Sequence, residues 1–375
     1  MLNISELISL ISGKKALGVL IKKPSNVYYI TNFSGEGYVY FTKGGLAILY
    51  TDGRYFERAL KECFAGVKIV KVKTIFKDIA RDVLKRNAKL NSSADNNIIL
   101  FESDYIAYDE YAAIDKALTE ELKAATGLIP AGDTISKIRS IKDESELKFI
   151  AEAVSIAEKS MIDALKKTVC VNGGSGRSEE YLALTYKKKL LERNSAESFD
   201  TIVLSGKNSS LPHGAPSIGR IDKKNVLLCD FGAERSGYKS DETFTIHLGK
   251  PDGIFLDAYD AVYSAQQKAI SKIKPGVKFS DLDKIARNYI TKRGYGKYFT
   301  HSLGHGVGLD IHEYPYVSRK NDDVVQQGMV FTIEPGIYIE GEFGIRIEDM
   351  CYVEKECARV ITNIKKNKFK VKDLI

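Results

Sequence analysis

Four carboxylates fall in two pairs, each pair flanking a turn: Asp230 and Asp241 around Gly232 and Gly237, and Glu334 and Glu348 around Gly341. Residues equidistant from a hairpin turn face each other with Cβ atoms about 4.5–5.5 Å apart, and both pairs are expected to do so. Carboxylates that close repel unless a cation sits between them. Two such hairpins facing one another would make a metal cage once a histidine joined. Four carboxylates with one imidazole favour Mn, Co, Fe or Zn over Ca. The imidazole candidate is His305, in His301-Ser302-Leu303-Gly304-His305-Gly306-Val307-Gly308, where alternate glycines oppose a helix and admit close approach of backbone or substrate.

Four of the five histidines, His213, His301, His305 and His312, occupy Gly/Pro-rich segments of the kind that carry binding groups. The fifth, His247, lies on the strand leaving Asp241, about 20 Å along it at roughly 3.3 Å per residue, and reads as structural. Arg346 and Glu348 are two apart and project from one strand face. Arg346 is thus either half of a structural salt bridge or a support that keeps Asp241 or Glu348 ionised and oriented.

The elements that must position these groups follow from periodicity. Short β-rich runs are expected at 16–21, 27–30, 38–41, 47–50, 67–72 and 98–101, with helices at 75–86 and 108–125. Asp52-Gly53 after a strand reads as a turn, with Arg54 solvated or reaching a substrate or a partner chain. Pro130 to Gly132 punctuate a boundary between a domain at 1–130 and another at 131–375. Leu147, Ile150, Val154, Ala157, Met161 and Leu165 recur at helical spacing and predict an amphipathic helix over 145–167. A Gly-rich turn at 172–177, a helix at 178–193, strands at 201–204, 225–231 and 238–248, helices at 254–274 and 280–292, and strands around 329–339 and 344–353 complete the chain. Helix pair, hairpin, helix pair, hairpin is an internal repeat, and it implies two halves related by a pseudo-two-fold, each giving one carboxylate hairpin to a shared centre. The fold class is α/β (α+β).

At 375 residues two domains are expected. Five scattered cysteines without Cys-x-x-Cys spacing argue against a disulfide framework or thiolate zinc and fit a reducing cytoplasm. Without a long apolar run or a basic-then-apolar leader, no membrane association or export is expected. The net charge of +7 is spread among interleaved acids, which argues against a nucleic-acid partner; the dense run Lys365 to Lys372 reads as a solvated strand or tail.

Taken together, Asp230-x10-Asp241, His305 in Gly-His-Gly, Glu334 in Ile-Glu-Pro-Gly-Ile-Tyr and Glu348 in Arg-Ile-Glu-Asp resemble the pita-bread metallopeptidases, the family of prolidase, aminopeptidase P, methionine aminopeptidase and creatinase. The resemblance spans about residues 135–355. Ser198 to Ile202, Leu211-Pro212-His213-Gly214, Leu309 to Glu313 and Ile138 to Leu147 are similar to the proline-specific branch, and the segments at 29–35 and 51–55 to a creatinase-type N-terminal domain. The resemblance implies two divalent metals, Mn or Co with Zn or Fe as alternatives. Asp230 would bind one, His305 and Glu334 the other, with Asp241 and Glu348 bridging. It implies Glu334 as proton shuttle, His312 and His301 as carbonyl or oxyanion donors, and His213 closing a proline pocket. The expected activity is hydrolysis of an Xaa-Pro bond in a peptide, by a homodimer. Methionine aminopeptidase activity is an alternative, although those relatives usually lack the N-terminal domain. A non-catalytic peptide- or RNA-binding module and a single-metal or calcium site are the others. One departure is Thr243-Phe244-Thr245, where relatives often show Thr-Arg-Thr.

Overall fold

The computed structural model describes residues 4–86, 97–122, 127–169 and 177–366. The chain divides into two compact units, Met1–Arg139 and Ser140–Ile375. The first contains α1 (Ile4–Gly13), β1 (Gly18–Ile21), α2 (Pro24–Thr31), β2 (Tyr38–Thr42), β3 (Ala47–Thr51), α3 (Phe56–Glu62), β4 (Lys68–Lys71), α4 (Ile75–Arg86), β5 (Ile98–Phe101), α5 (Tyr108–Leu122), β6 (Gly127–Pro130) and α6 (Thr134–Ser140). Its six strands form one mixed sheet in the order β4-β3-β2-β1-β5-β6. Strand residues such as Val19, Tyr40, Ile48 and Leu100 are fully buried, because helices cover both faces of the sheet.

The strand expected at 27–30 is instead part of α2. Pro24 occupies its first turn, Asn32 ends it in a left-handed conformation, and Val27, Ile30 and Thr31 are buried. A four-residue apolar run is compatible with either state; proline at the start and the Asn cap decided for helix. Arg54 pairs with Asp52 at 2.7 Å and stays exposed.

The second unit begins with α7 (Glu144–Thr168), whose capping box joins Asp143 and Glu146, and α8 (Glu179–Leu191). Then come β7 (Ala196–Glu197), β8 (Ile202–Ser205), β9 (Val226–Phe231), β10 (Ala233–Arg235), β11 (Tyr238–Lys239) and β12 (Glu242–His247). The second half repeats the pattern with α9 (Gly253–Ile270), α10 (Phe279–Lys292), β13 (Gly304–Gly306), β14 (Glu313–Val317), β15 (Val330–Ile333), β16 (Gly336–Ile339), β17 (Phe343–Arg346), β18 (Asp349–Val353) and β19 (Ala358–Val360). Each half has its own core. Ala157, Met161, Leu182 and Tyr186 pack on β8, β9 and β12, while Ala258, Val262, Leu282 and Ala286 pack on the sheet ordered β14-β13-β15-β18-β19.

Phe244 points into the first of these cores and is buried against Phe231, on the strand face opposite Thr243 and Thr245. Cys170, the Gly-rich turn at 172–176 and the basic run beyond Lys366 lie outside the described residues. No described helix is long and apolar enough to cross a membrane.

Candidate metal centre

The strands break at three of the four carboxylates, while Asp230 lies within β9. The single strand expected over 238–248 is divided into β11 and β12, with Ser240 and Asp241 between them. Glu334 likewise lies between β15 and β16, and Glu348 between β17 and β18. Residues freed from a ladder can aim inward without breaking the pairing on either side.

The first hairpin turns on Ser236 and Gly237, both with positive φ, as a two-residue turn of inverted hand requires. Arg235 therefore pairs with Tyr238, and further down the same register Thr243, not Asp241, lies opposite Asp230. The expectation of equidistance is thus corrected by two residues, and the two aspartates are diagonal neighbours. Opposite Asp241 comes Gly232, where a Cβ would lie 2.0 Å from the Ser240 carbonyl oxygen. In the second hairpin Gly336 pairs with Arg346 and Ile333 with Asp349, so Glu334 and Glu348 do share a level.

The hairpins are joined side by side. The Glu348 N–H donates to the Thr243 carbonyl at 3.0 Å, and the Thr245 hydroxyl donates to the Arg346 carbonyl at 2.9 Å. Thr243 Oγ1 donates to Glu348 Oε2 at 2.6 Å. His305 enters from β13, and Gly304 lets that strand lie against β15. The His305 N–H donates to Thr332 Oγ1 at 3.1 Å, and Thr332 Oγ1 reaches Glu334 Oε1 at 3.3 Å.

All nine residues singled out from the sequence line one cavity of about 360 Å³. Ligand atoms of Asp241, His305 and Glu348 lie within 4.8 Å of one another. His305 Nε2 is 3.5 Å from Asp241 Oδ2 and 3.3 Å from Glu334 Oε1. The ring's Nδ1 faces the Gly306 carbonyl at 3.2 Å, which can only accept, so Nδ1 carries the proton and the Nε2 lone pair faces the carboxylates.

Arg346 sits beside Asp230 and not, as strand parity suggested, beside Asp241 or Glu348. Its Nη2 donates to Asp230 Oδ2 at 2.5 Å, Nη1 to Tyr338 Oη at 2.7 Å and Nε to Thr243 Oγ1 at 3.2 Å. Tyr338 in turn reaches His301 Nε2 at 3.1 Å, and His301 Nδ1 faces the Ser302 carbonyl at 2.8 Å. His312 stacks edge-on against His305 with ring centroids 4.3 Å apart. Tyr338, Thr243 and Thr332 were not singled out from sequence. The signal was parity: Glu334 and Tyr338, like Asp241 and Thr243, lie an even number of residues apart and share a face.

Burial and mutual repulsion load the cluster. Burial first, then Glu348, Asp230 and Glu334, push the Asp241 carboxyl well above the usual range; burial, Glu334 and Asp230 do the same to Glu348. Burial, with Asp230 adding to it, raises Glu334 to about 8. Burial and the neighbouring His312 lower His305 to about 3, keeping the imidazole neutral. Asp230 Oδ1 is buried with no hydrogen-bond partner. Carboxyl oxygens that can ionise together only beside a cation thus converge on one imidazole lone pair, which is the donor set a divalent cation requires. The residues fit metal.

Two hairpins from related halves, closing on a carboxylate cluster with one imidazole, define a metallopeptidase of the pita-bread class. Residues 148–355 match metallopeptidase family M24, and residues 4–141 match the creatinase/prolidase N-terminal domain; the chain belongs to family M24. An Xaa-Pro dipeptidase of Pyrococcus horikoshii is 37% identical over 348 residues, 92% of each chain. The structure of an Xaa-Pro dipeptidase from Bacillus anthracis matches with a TM-score of 0.87 at 35% identity over 98% of both chains. That of an X-Pro aminopeptidase from Thermotoga maritima matches at 0.82 and 29% identity over 94% of this chain and 97% of that one.

Proposed function

We propose that this metallopeptidase is a dinuclear exopeptidase that hydrolyses the Xaa-Pro bond at the N-terminus of dipeptides or short peptides. The observation that carries the reading is the convergence of four carboxyl groups and one imidazole in the cavity, with Asp230 Oδ1 left without a partner. The relatives named above for Xaa-Pro dipeptidase and aminopeptidase activity support the choice of bond.

In this reading Asp230, Asp241, His305, Glu334 and Glu348 hold two divalent ions, manganese or cobalt in preference to zinc or iron. Such ions supply an activated water at neutral pH and polarise the scissile carbonyl. Glu334 takes the proton released in the attack and delivers it to the departing proline nitrogen. His312 donates to the carbonyl oxygen as charge develops there; among the described residues no hydrogen bond engages its ring nitrogens. His301 Nδ1 donates to the Ser302 carbonyl and its Nε2 accepts from Tyr338, so it joins as a donor to substrate only when Nε2 gains a proton. His213, Phe199 and Ile202 line the same cavity and close on the apolar proline ring. Arg346 holds Asp230 and Tyr338 in place and is a positioning group. An Xaa-Pro bond has no N–H, so recognition rests on the ring pocket and on the substrate's α-amino group.

The assembly is expected to be a homodimer, measured by light scattering. A reducing cytoplasmic setting agrees with the free thiols Cys63, Cys229, Cys351 and Cys357. Activity is tested by stripping metal, restoring Mn or Co, and assaying Ala-Pro, Ala-Pro-Ala and Met-Ala-Ala. Turnover of Ala-Pro alone identifies a dipeptidase, and turnover of Ala-Pro-Ala an aminopeptidase. Preference for Met-Ala-Ala, or failure on all three with metal bound, refutes the proposal.

A further inference from the structure

Behind the cluster lies a second buried polar layer that the chemistry above does not use. Each carboxylate assigned above as bridging is followed by another acid: Asp241 by Glu242 and Glu348 by Asp349. Consecutive side chains on an extended segment project to opposite faces, so Asp241 and Glu348 face the cavity while Glu242 and Asp349 face away from it. Both are buried, at 2% and 6% exposure. One ammonium group meets both: Lys366 Nζ donates to Glu242 Oε1 and, at 2.7 Å, to Asp349 Oδ1.

Lys366 comes from the segment after β19, beyond residue 355, where the family match ends. That segment is itself tied down. The Ile361 N–H donates to the Met350 carbonyl at 2.9 Å, Thr362 Oγ1 to Asp349 Oδ1 at 2.6 Å, and Tyr259 Oη to the Lys366 carbonyl at 3.0 Å. From α9, Gln266 Nε2 completes the layer, lying 3.1 Å from the Ile333 carbonyl, 3.3 Å from that of Ile347 and 3.0 Å from Asp349 Oδ2. Ile333 and Ile347 immediately precede Glu334 and Glu348, so Gln266 occupies the place where the ladder opens for them.

We propose that Lys366 is a positioning residue for the metal centre, a single buried cation that locks the two halves of the unit together one residue behind each bridging carboxylate. Buried ion pairs add little net stability against an apolar replacement, and Glu242 Oε2 is left without a partner, so the layer is poorly arranged for stability alone. Its geometry instead sets the spacing between Asp241 and Glu348, which come from different hairpins and have no covalent reason to hold one distance. The proposal rests on the metal-centre reading.

The test is Co(II) titration of metal-free protein, read by visible absorption, which reports coordination geometry independently of turnover. Wild-type protein binds two Co(II) ions; failure to do so refutes the metal reading and this proposal with it. Lys366→Met is expected to retain the wild-type far-UV circular dichroism, bind Co(II) about 10 to 100-fold more weakly with an altered spectrum, and lose kcat at near-constant KM. Lys366→Arg is expected to recover part of the affinity. Should Lys366→Met not fold, Glu242→Gln, which keeps the bond from Lys366 to Asp349, is expected to change the spectrum in the same direction by less. A folded Lys366→Met, or failing that a Glu242→Gln, with wild-type Co(II) affinity and spectrum overturns the proposal.

Discussion

Removing metal from the protein and following its urea stability between pH 6.5 and 8 exposes the electrostatic load of the cluster. His305 and His301, held down to about 3 and about 4 chiefly by burial, are neutral in the folded chain while the unfolded chain is half protonated at pH 6.5, so each regains about 0.4 kcal/mol of stability as pH rises to 8. The carboxyls act in the opposite sense and outweigh them. Glu334, raised to about 8 by burial, keeps its proton in the folded chain after the unfolded chain has lost it near 4.5. Its stabilising contribution is complete below 4.5 and disappears as pH rises through about 8. Each such group costs about 1.4 kcal/mol per pH unit, so Glu334 alone lowers stability by about 2 kcal/mol from pH 6.5 to 8. Asp241 and Glu348, raised well above their usual values by burial and one another's neighbours, act in the same sense.

Metal-loaded protein holds its ligands ionised in both states and lacks this slope, so the two forms diverge as pH rises. Glu242, also raised to about 8 by burial, lies behind the cluster in both forms and cancels in the difference. Urea midpoints followed by circular dichroism and tyrosine fluorescence at pH 6.5, 7.25 and 8, with and without Mn, give the measurement. Asp241→Asn, which removes one of the three carboxyls, is expected to flatten the metal-free slope and to abolish turnover while the chain stays folded. A metal-free wild type whose midpoint is constant or rises across this range refutes the reasoning.

Arg346→Met leaves Asp230 beside an apolar group and Tyr338 without its donor, so the metal-free protein is expected to lose about 3–5 kcal/mol at pH 8 by urea unfolding. Arg346→Lys should not restore it, because one ammonium cannot span Asp230, Tyr338 and Thr243 together. Gly304→Ala places a Cβ 2.0 Å from the Thr332 carbonyl oxygen and must push β13 away from β15. A displacement of about 1 Å at His305 is expected to lower kcat/KM about 100-fold, measured on Ala-Pro with the protein still folded.

Much of the second unit is legible from periodicity, because long amphipathic helices repeat one pattern many times. Apolar spacing from Leu147 to Leu165 predicts the helix found at Glu144–Thr168. Short elements are less secure, since four residues cannot distinguish a period of two from one of 3.6. Val27 to Ile30 therefore reads as strand and folds as helix, and the strands expected at 238–248 and 329–339 run through the breaks at Asp241 and Glu334, although Pro335-Gly336 marks the second.

The sequence by itself determined which chemical groups could meet: the acids at 230, 241, 334 and 348, the histidine between alternate glycines, and a repeated order of elements to carry them. Those are properties of residue type and local spacing. Only the tertiary structure decided that Thr243 faces Asp230, because two positive-φ residues at 236 and 237 set the register of the first hairpin. It alone decided that Arg346 pairs with Asp230, 116 positions away, and that Lys366 and Gln266 close the far side of the centre. Such choices depend on which elements pack together, and packing between distant segments leaves no periodic trace in either of them.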